Sequence, residues 1–178
     1  AMQPMKDIMD RAMQAERDGG ELWYDASALQ PVPAYWRRMR GANFAGLPVE
    51  VAPSTPTRLS TTEAIERSRD GRTLIIDTRD REAYAHIHPH GAQFIPAGQN
   101  FLTWAGAVVD AGTDLVLIAD SERSALASTR DAWRIGLGPV IGFVDDVAVA
   151  EWESAGGTTT RIEQCAMADA LTDETATI

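Results

Sequence analysis

The sequence holds one cysteine, Cys165, and three histidines, all within His86-Ile87-His88-Pro89-His90. A single thiol cannot close an intrachain disulfide, so a disulfide-stapled secreted scaffold is excluded and the cytoplasm is the expected compartment. Basic residues are scarce: 16 Lys and Arg stand against 26 Asp and Glu, a formal charge of -10. Nucleic acids and anionic membranes must be neutralised by cations, so neither is expected as a partner. Long apolar runs are missing too. Nothing approaches the ~20 residues of a membrane-spanning helix, and the N-terminus lacks the basic-then-apolar order of a signal peptide. What is present is 178 residues at 44% hydrophobic content, enough for one core with extensions. Ala1 ahead of Met2 reads as the remnant of a cleaved tag, which points to a segment of something longer.

Residues 4–18 place Met5, Ile8, Met9, Ala12 and Met13 near helical spacing, with Gly19-Gly20 as the stop. This predicts a short amphipathic helix whose Met stripe is packing surface. From Leu29 to Pro56 the chain carries five prolines, which remove backbone donors and favour extended structure, so a connector around one short helical stretch is expected. Ser60 then suits an N-cap for a helix over residues 62–69, and Leu74-Ile75-Ile76 is a buried-strand run. The pattern continues with a helix over 79–85, a strand over 93–96 and a helix over 101–109. Leu115-Val116-Leu117-Ile118-Ala119 is continuously apolar, as a central parallel strand covered on both faces must be. An amphipathic helix over 122–135, a strand over 139–144 and a closing helix over 147–154 complete the series. Strands alternating with helices predict an α/β fold with a mainly parallel sheet and helices on both faces.

In that order, residues 74–156 resemble a rhodanese-like domain, the sulfurtransferase fold. Ile75-Ile76-Asp77-Thr78-Arg79 is similar to the family's strand ending in Asp-Val-Arg, and Glu82-Ala83-Tyr84 to its acidic-aromatic helix. His88 to Pro96 is similar to its His-Ile-Pro-Gly-Ala…Ile-Pro stretch, and Trp152 to Gly156 to its terminal Trp…Gly. The resemblance implies a central sheet of about five strands. It also implies a catalytic loop after the central strand, where active members hold a cysteine persulfide among backbone N–H groups at a helix N-terminus. Converging donors and the positive end of the helix dipole stabilise an anionic sulfur species there.

In this sequence the corresponding loop is Ala119-Asp120-Ser121-Glu122-Arg123-Ser124-Ala125. Aligned on the strand, the nucleophile position is Ala119; aligned on Arg123-Ser124, it is Ile118. Neither is cysteine, the loop glycine is absent, and Asp120 and Glu122 stand where an anionic donor such as thiosulfate would approach. Each carboxylate within a few Å of an anion costs on the order of 1 kcal/mol. The carboxylates also have a structural reading, since Asp120 or Ser121 suits an N-cap and acids suit a helix's first turn. No catalytic residue is therefore expected, and the loop positions Ala119, Asp120, Ser121, Glu122, Arg123 and Ser124 are read as degenerate. Ser121 and Ser124 would need a histidine base, and in this family the histidine stretch leads away from the loop. In the His-x-His-x-His spacing Pro89 makes regular strand alternation unlikely and no fourth ligand is evident, so no metal and no cofactor are expected. Cys165 has no basic neighbour closer than Arg161, which gives no reason for a lowered pKa.

The connector Val32-Pro33-Ala34-Tyr35-Trp36-Arg37-Arg38-Met39, with Asn43 and Gly46-Leu47-Pro48, is similar to the segment that joins a metallo-β-lactamase-fold domain to rhodanese-like repeats in bacterial fusions. Phe101 to Gly106 also resembles the rhodanese part of those fusions, which often has a degenerate loop. The zinc motif His-x-His-x-Asp-His that the lactamase-fold half needs is absent from the sequence, so that half would lie upstream. Residues 57–75 and 160–178 align without gaps at an offset of 103 residues, with four identities.

The expected organisation is an N-terminal helix and Pro-rich connector over 1–56, a rhodanese-like domain over 57–157, and a tail over 158–178. The tail is read either as one helix packed on the domain or as the start of a second repeat. The leading functional reading is a non-catalytic interaction or scaffolding domain whose partner is a lactamase-fold domain in cis or a second copy. The alternatives are a sulfurtransferase that uses Cys165, and a small-metabolite-binding domain lined by Asp120, Glu122 and Arg123. Tyr35, Trp36 and Trp23 are candidates for an interdomain contact, with plain core as the other reading.

Overall fold

The structure, a computed structural model, describes Gln14, Tyr35, Trp36 and residues 53–163. The chain divides into two units, Ala1–Val32 and Pro33–Ile178. In the first, Gln14 is helical; the rest of the helix expected over 4–18, and Trp23, lie outside the described residues. In the second, the described chain runs α1 (Thr61–Ser68), β1 (Thr73–Asp77), α2 (Arg81–His86), β2 (His88–Pro89), β3 (Gln93–Phe94), α3 (Phe101–Val108), β4 (Asp114–Ile118), α4 (Glu122–Arg134), β5 (Val140–Val144), α5 (Asp146–Ala150) and β6 (Thr159–Thr160). Cys165 and the remainder of the tail fall outside the described residues.

The central sheet has the order β3-β1-β4-β5, with every pairing parallel. It has four strands where about five were expected. The remaining segment is reduced to one parallel bridge, Arg58 to Phe143, held by Leu59 N–H to Phe143 O at 2.8 Å and Phe143 N–H to Thr57 O at 2.9 Å. Pro56 brings no donor from one side and the Ser60 cap turns the chain into α1 on the other, so the edge ends almost where it begins. Gly142 makes this edge possible, because a Cβ there would lie 2.6 Å from the Leu59 side chain.

Why β4 is central follows from its side chains, which alternate between two separate cores. Leu115, Leu117 and Ala119 join Phe101, Ala105, Ala125 and Ala132 beneath α3 and α4. Val116 and Ile118 join Ala64, Ile65, Val149 and Trp152 beneath α1 and α5. Both faces of the strand are therefore dry, which is why its sequence is apolar without alternation.

Four of the five described helices after residue 53 start at a side-chain cap, α3 being the exception. Ser60 caps α1 in a reciprocal capping box with Glu63: the Glu63 N–H donates to Ser60 Oγ at 3.3 Å and the Ser60 N–H donates to Glu63 Oε2 at 2.8 Å. Bonds from the Ser60 backbone and side chain hold the Glu63 carboxyl below the usual carboxylate range. Ser60→Ala is expected to lower stability by about 1 kcal/mol in urea unfolding, with an unchanged m-value. The closing helix is shorter than expected. It begins at Asp146 under an Asp145 cap and ends at Ala150, and the chain to Gly156 continues as turns.

The histidine stretch also differs from the reading in which Pro89 opposes strand structure. His88 and Pro89 pair antiparallel with Thr160 and Thr159. Proline is tolerated because this is a two-residue ladder with no third strand to feed, and the adjacent His90 N–H donates to Thr158 O at 2.8 Å. The chain past Gly157 thus lies along the fold, with the Ile162 N–H donating to Ala85 O at 2.8 Å. Tyr35 packs against the α3-side core, and its ring fills the space that a Cβ on Gly106 would take. Trp36 is 57% exposed.

Candidate active-site loop

Parallel sheets bind ligands outside the carboxyl ends of their strands, where neighbouring connections leave in opposite directions. Here that place lies between β1 and β4, because the chain passes from β1 to β3 on one side and to β4 on the other. The expected loop sits there, immediately after β4.

Its first residue, Ala119, is fully buried and extends the sheet by donating its N–H to Val144 O at 3.0 Å. Ile118, the other alignment of the nucleophile position, is a fully buried β4 residue. Its carbonyl accepts both the Thr78 N–H at 2.9 Å and the Thr78 hydroxyl at 2.7 Å. Both positions present hydrocarbon to the core. Asp120, Ser121, Glu122 and Arg123 are exposed and Ser124 is half-buried. Of the two cap candidates Ser121 takes the role: its Oγ accepts the Ser124 N–H at 3.2 Å, and its hydroxyl donates to Asp120 Oδ1 at 3.3 Å. Glu122 occupies the first turn of α4, where a carboxylate suits the helix dipole.

The Ser121 hydroxyl thus donates to a neighbouring carboxylate and not to an imidazole. His88 is buried, with Nδ1 2.7 Å from Tyr84 O and its ring stacked on Tyr84 at 3.8 Å. His90 Nδ1 lies 3.1 Å from Thr160 Oγ1. Among the described residues no three of His, Cys, Asp and Glu come close enough together to hold a metal ion. What the loop can do chemically is cap a helix and present two carboxylates and a guanidinium to solvent.

Beside the loop lies a charged cluster whose interactions were not anticipated from the sequence. Asp77 ends β1 fully buried, and Arg79, 7% exposed, folds back onto it. The Arg79 guanidinium donates from Nε to Asp77 Oδ1 at 3.0 Å and from Nη2 to Asp77 Oδ2 at 2.7 Å. Its remaining donors reach Ile87 O at 2.8 Å and Asp146 Oδ1 at 3.0 Å. One side chain therefore ties the end of β1 to the end of α2 and the start of α5. Burial pulls the Arg79 pKa down, but the carboxylates of Asp77 and Asp146 outweigh it and the group titrates above its ordinary value. Burial, with a smaller contribution from Asp77, raises the Tyr84 hydroxyl above the usual phenol range. The available signal was an Asp and an Arg two residues apart at the end of an apolar strand: charges that must enter a core do so as pairs.

Residues 60–152, just over half of the chain, match the rhodanese-like domain family. The chain belongs to the rhodanese-like family. A search of curated proteins gave no match. Among solved structures, a metallo-beta-lactamase from Staphylococcus aureus is similar at 21% identity and a TM-score of 0.54, over 67% of this chain and 32% of that one. A protein from Anabaena sp. is similar at 19% identity and a TM-score of 0.49, over 62% of this chain and 98% of that one. The rhodanese-like domain of an Anabaena sp. protein follows at 20% identity and a TM-score of 0.45, over 59% and 79%. The rhodanese-like domain here has the family's parallel sheet, and after β4 it has alanine, aspartate and serine. No helix among the described residues is long and apolar enough to cross a membrane.

Proposed function

We propose that this rhodanese-like domain is non-catalytic and acts as an interaction or scaffolding module of a metallo-β-lactamase-fold hydrolase. The observation that carries the reading is the buried Ala119 methyl at the end of β4, where sulfur transfer would need a thiolate. The exposed carboxylates of Asp120 and Glu122 in the same loop add repulsion toward an anionic sulfur donor. Support for the hydrolase context comes from the connector's likeness to fusion linkers and from the lactamase of Staphylococcus aureus, a third of which resembles most of this chain. The partner is then a lactamase-fold domain in cis, with a second copy as the other arrangement, in a cytoplasmic protein.

Two measurements test this. Thiosulfate and cyanide should give no thiocyanate above the uncatalysed rate, for the wild-type protein and for Cys165→Ser alike. Turnover by the wild type that is lost in Cys165→Ser would establish the alternative in which Cys165 is the sulfur carrier. The native reading frame upstream of this segment should encode His-x-His-x-Asp-His, and a frame that starts at Met2 would remove the hydrolase from the account.

A further inference from the structure

At the β5 edge of the sheet, a groove of about 520 Å³ runs between the start of α1 and the α5 turn. That volume is in the range of small-molecule sites, roughly 300–1,000 Å³. Its walls include Leu59, Thr61, Thr62, Asp145, Val147 and Glu151. Thr61 decides its character. This side chain is 8% exposed, it lines the groove, and among the described residues its hydroxyl has no hydrogen-bond partner. A buried hydroxyl left unpaired is unfavourable, so its position favours an acceptor brought by a ligand. Thr61 and Thr62 are also the first two residues of α1, whose amides have no acceptor within the helix. The groove is thus lined by a residue with an unpaired hydroxyl and by the first two residues of α1.

The charges around them select the acceptor. The Glu63 carboxylate already occupies the α1 cap, and Asp145 and Glu151 line the groove. The guanidinium of Arg58 is engaged with Asp145. An anion would meet more carboxylates than free cations, whereas a neutral carbonyl oxygen can accept from the unpaired Thr61 hydroxyl. Glu151, an exposed residue that also lines the groove, suits a cation on the same molecule.

We propose that this groove is a binding site for a small molecule carrying a neutral carbonyl at one end and a cationic group at the other, such as an amidated basic amino acid. The carbonyl accepts from Thr61 and Thr62, and the cation faces Glu151. None of the loop residues 119–124 lines this groove, and the proposal does not depend on whether the domain is catalytic.

The test is titration of the full chain with argininamide, followed by amide resonances in a heteronuclear NMR spectrum. Saturable shifts are expected at Thr61 and Thr62, with affinity about fivefold weaker in Thr61→Val, the loss of one ordinary hydrogen bond. Glu151→Gln is expected to weaken argininamide but not acetamide, and inorganic phosphate to give no saturable shift. Thr61→Val keeps the shape of the side chain, and its spectrum outside the groove reports whether the fold is intact. The proposal is overturned by linear, non-saturating shifts, by an affinity unchanged in Thr61→Val, or by phosphate that competes with argininamide.

Discussion

Arg79→Ala is expected to destabilise the domain by about 3–5 kcal/mol in equilibrium urea unfolding, the range for a buried ion pair that loses one partner. The loss is not the worth of the pair. It is the cost of leaving the fully buried Asp77 carboxylate without the guanidinium that meets both of its oxygens. Two further variants separate this from simple loss of packing. Arg79→Lys keeps the charge but cannot reach Asp77, Asp146 and Ile87 O together with a single ammonium, so it should recover only part of the stability. Replacing both partners with apolar residues, Asp77→Leu with Arg79→Met, should recover more than half of the loss, because no buried charge then remains. A double variant no more stable than Arg79→Ala would show that the pair does more than neutralise itself.

Trp152→Ala is expected to cost about 3–5 kcal/mol as well, by a different route: truncation of a large buried side chain leaves a cavity. Trp152 is 3% exposed and packs with Ile65, Val149 and Val144 in the core beneath α1 and α5. Its carbonyl accepts the Gly157 N–H at 2.9 Å, and a Cβ on Gly157 would collide with its indole. The tryptophan is therefore the plug on which the chain turns back toward β6. Trp152→Phe should cost less than half as much, and urea unfolding followed by circular dichroism reads both variants. A loss under 1 kcal/mol for the alanine variant would mean that this core closes over the gap.

The parts of the fold that were legible in the sequence are those in which burial dictates residue type on its own. The run from Leu115 to Ala119 had to be a strand dry on both faces, and the two cores that divide its side chains are why it could not alternate. The cap at Ser60 was readable because a serine before a helical pattern has few other tasks, whereas at the start of α4 Asp120 and Ser121 were both open. β2 and β6 were not readable, since two-residue strands made by backbone hydrogen bonds leave no periodic signature, and Pro89 argued against one of them. The edge bridge at Arg58 was hidden for the same reason: it depends on Gly142 leaving room for Leu59, a relation between positions far apart in sequence.

Legibility of the candidate site divides the same way. The lack of a thiol at Ala119 is a statement about residue identity, complete in the sequence. That Ala119 is buried, that Ser121 takes the cap in place of Asp120, and that Ser121 donates to Asp120 are statements about geometry. The Asp77–Arg79–Asp146 cluster was half visible. Asp77 and Arg79 matched a family strand ending, but the closure onto Asp146 needs the chain to return to the sheet after β5. The Thr61 groove left no trace in the sequence, because an unpaired hydroxyl is a property of its surroundings.

The central claim is that this domain does not transfer sulfur, and intact-mass spectrometry of the wild-type protein after incubation with thiosulfate tests it most directly. The account predicts an unchanged mass and the same alkylation of Cys165 as in protein not treated with thiosulfate. A stable adduct of one sulfur atom on Cys165, discharged by cyanide as thiocyanate, would contradict it.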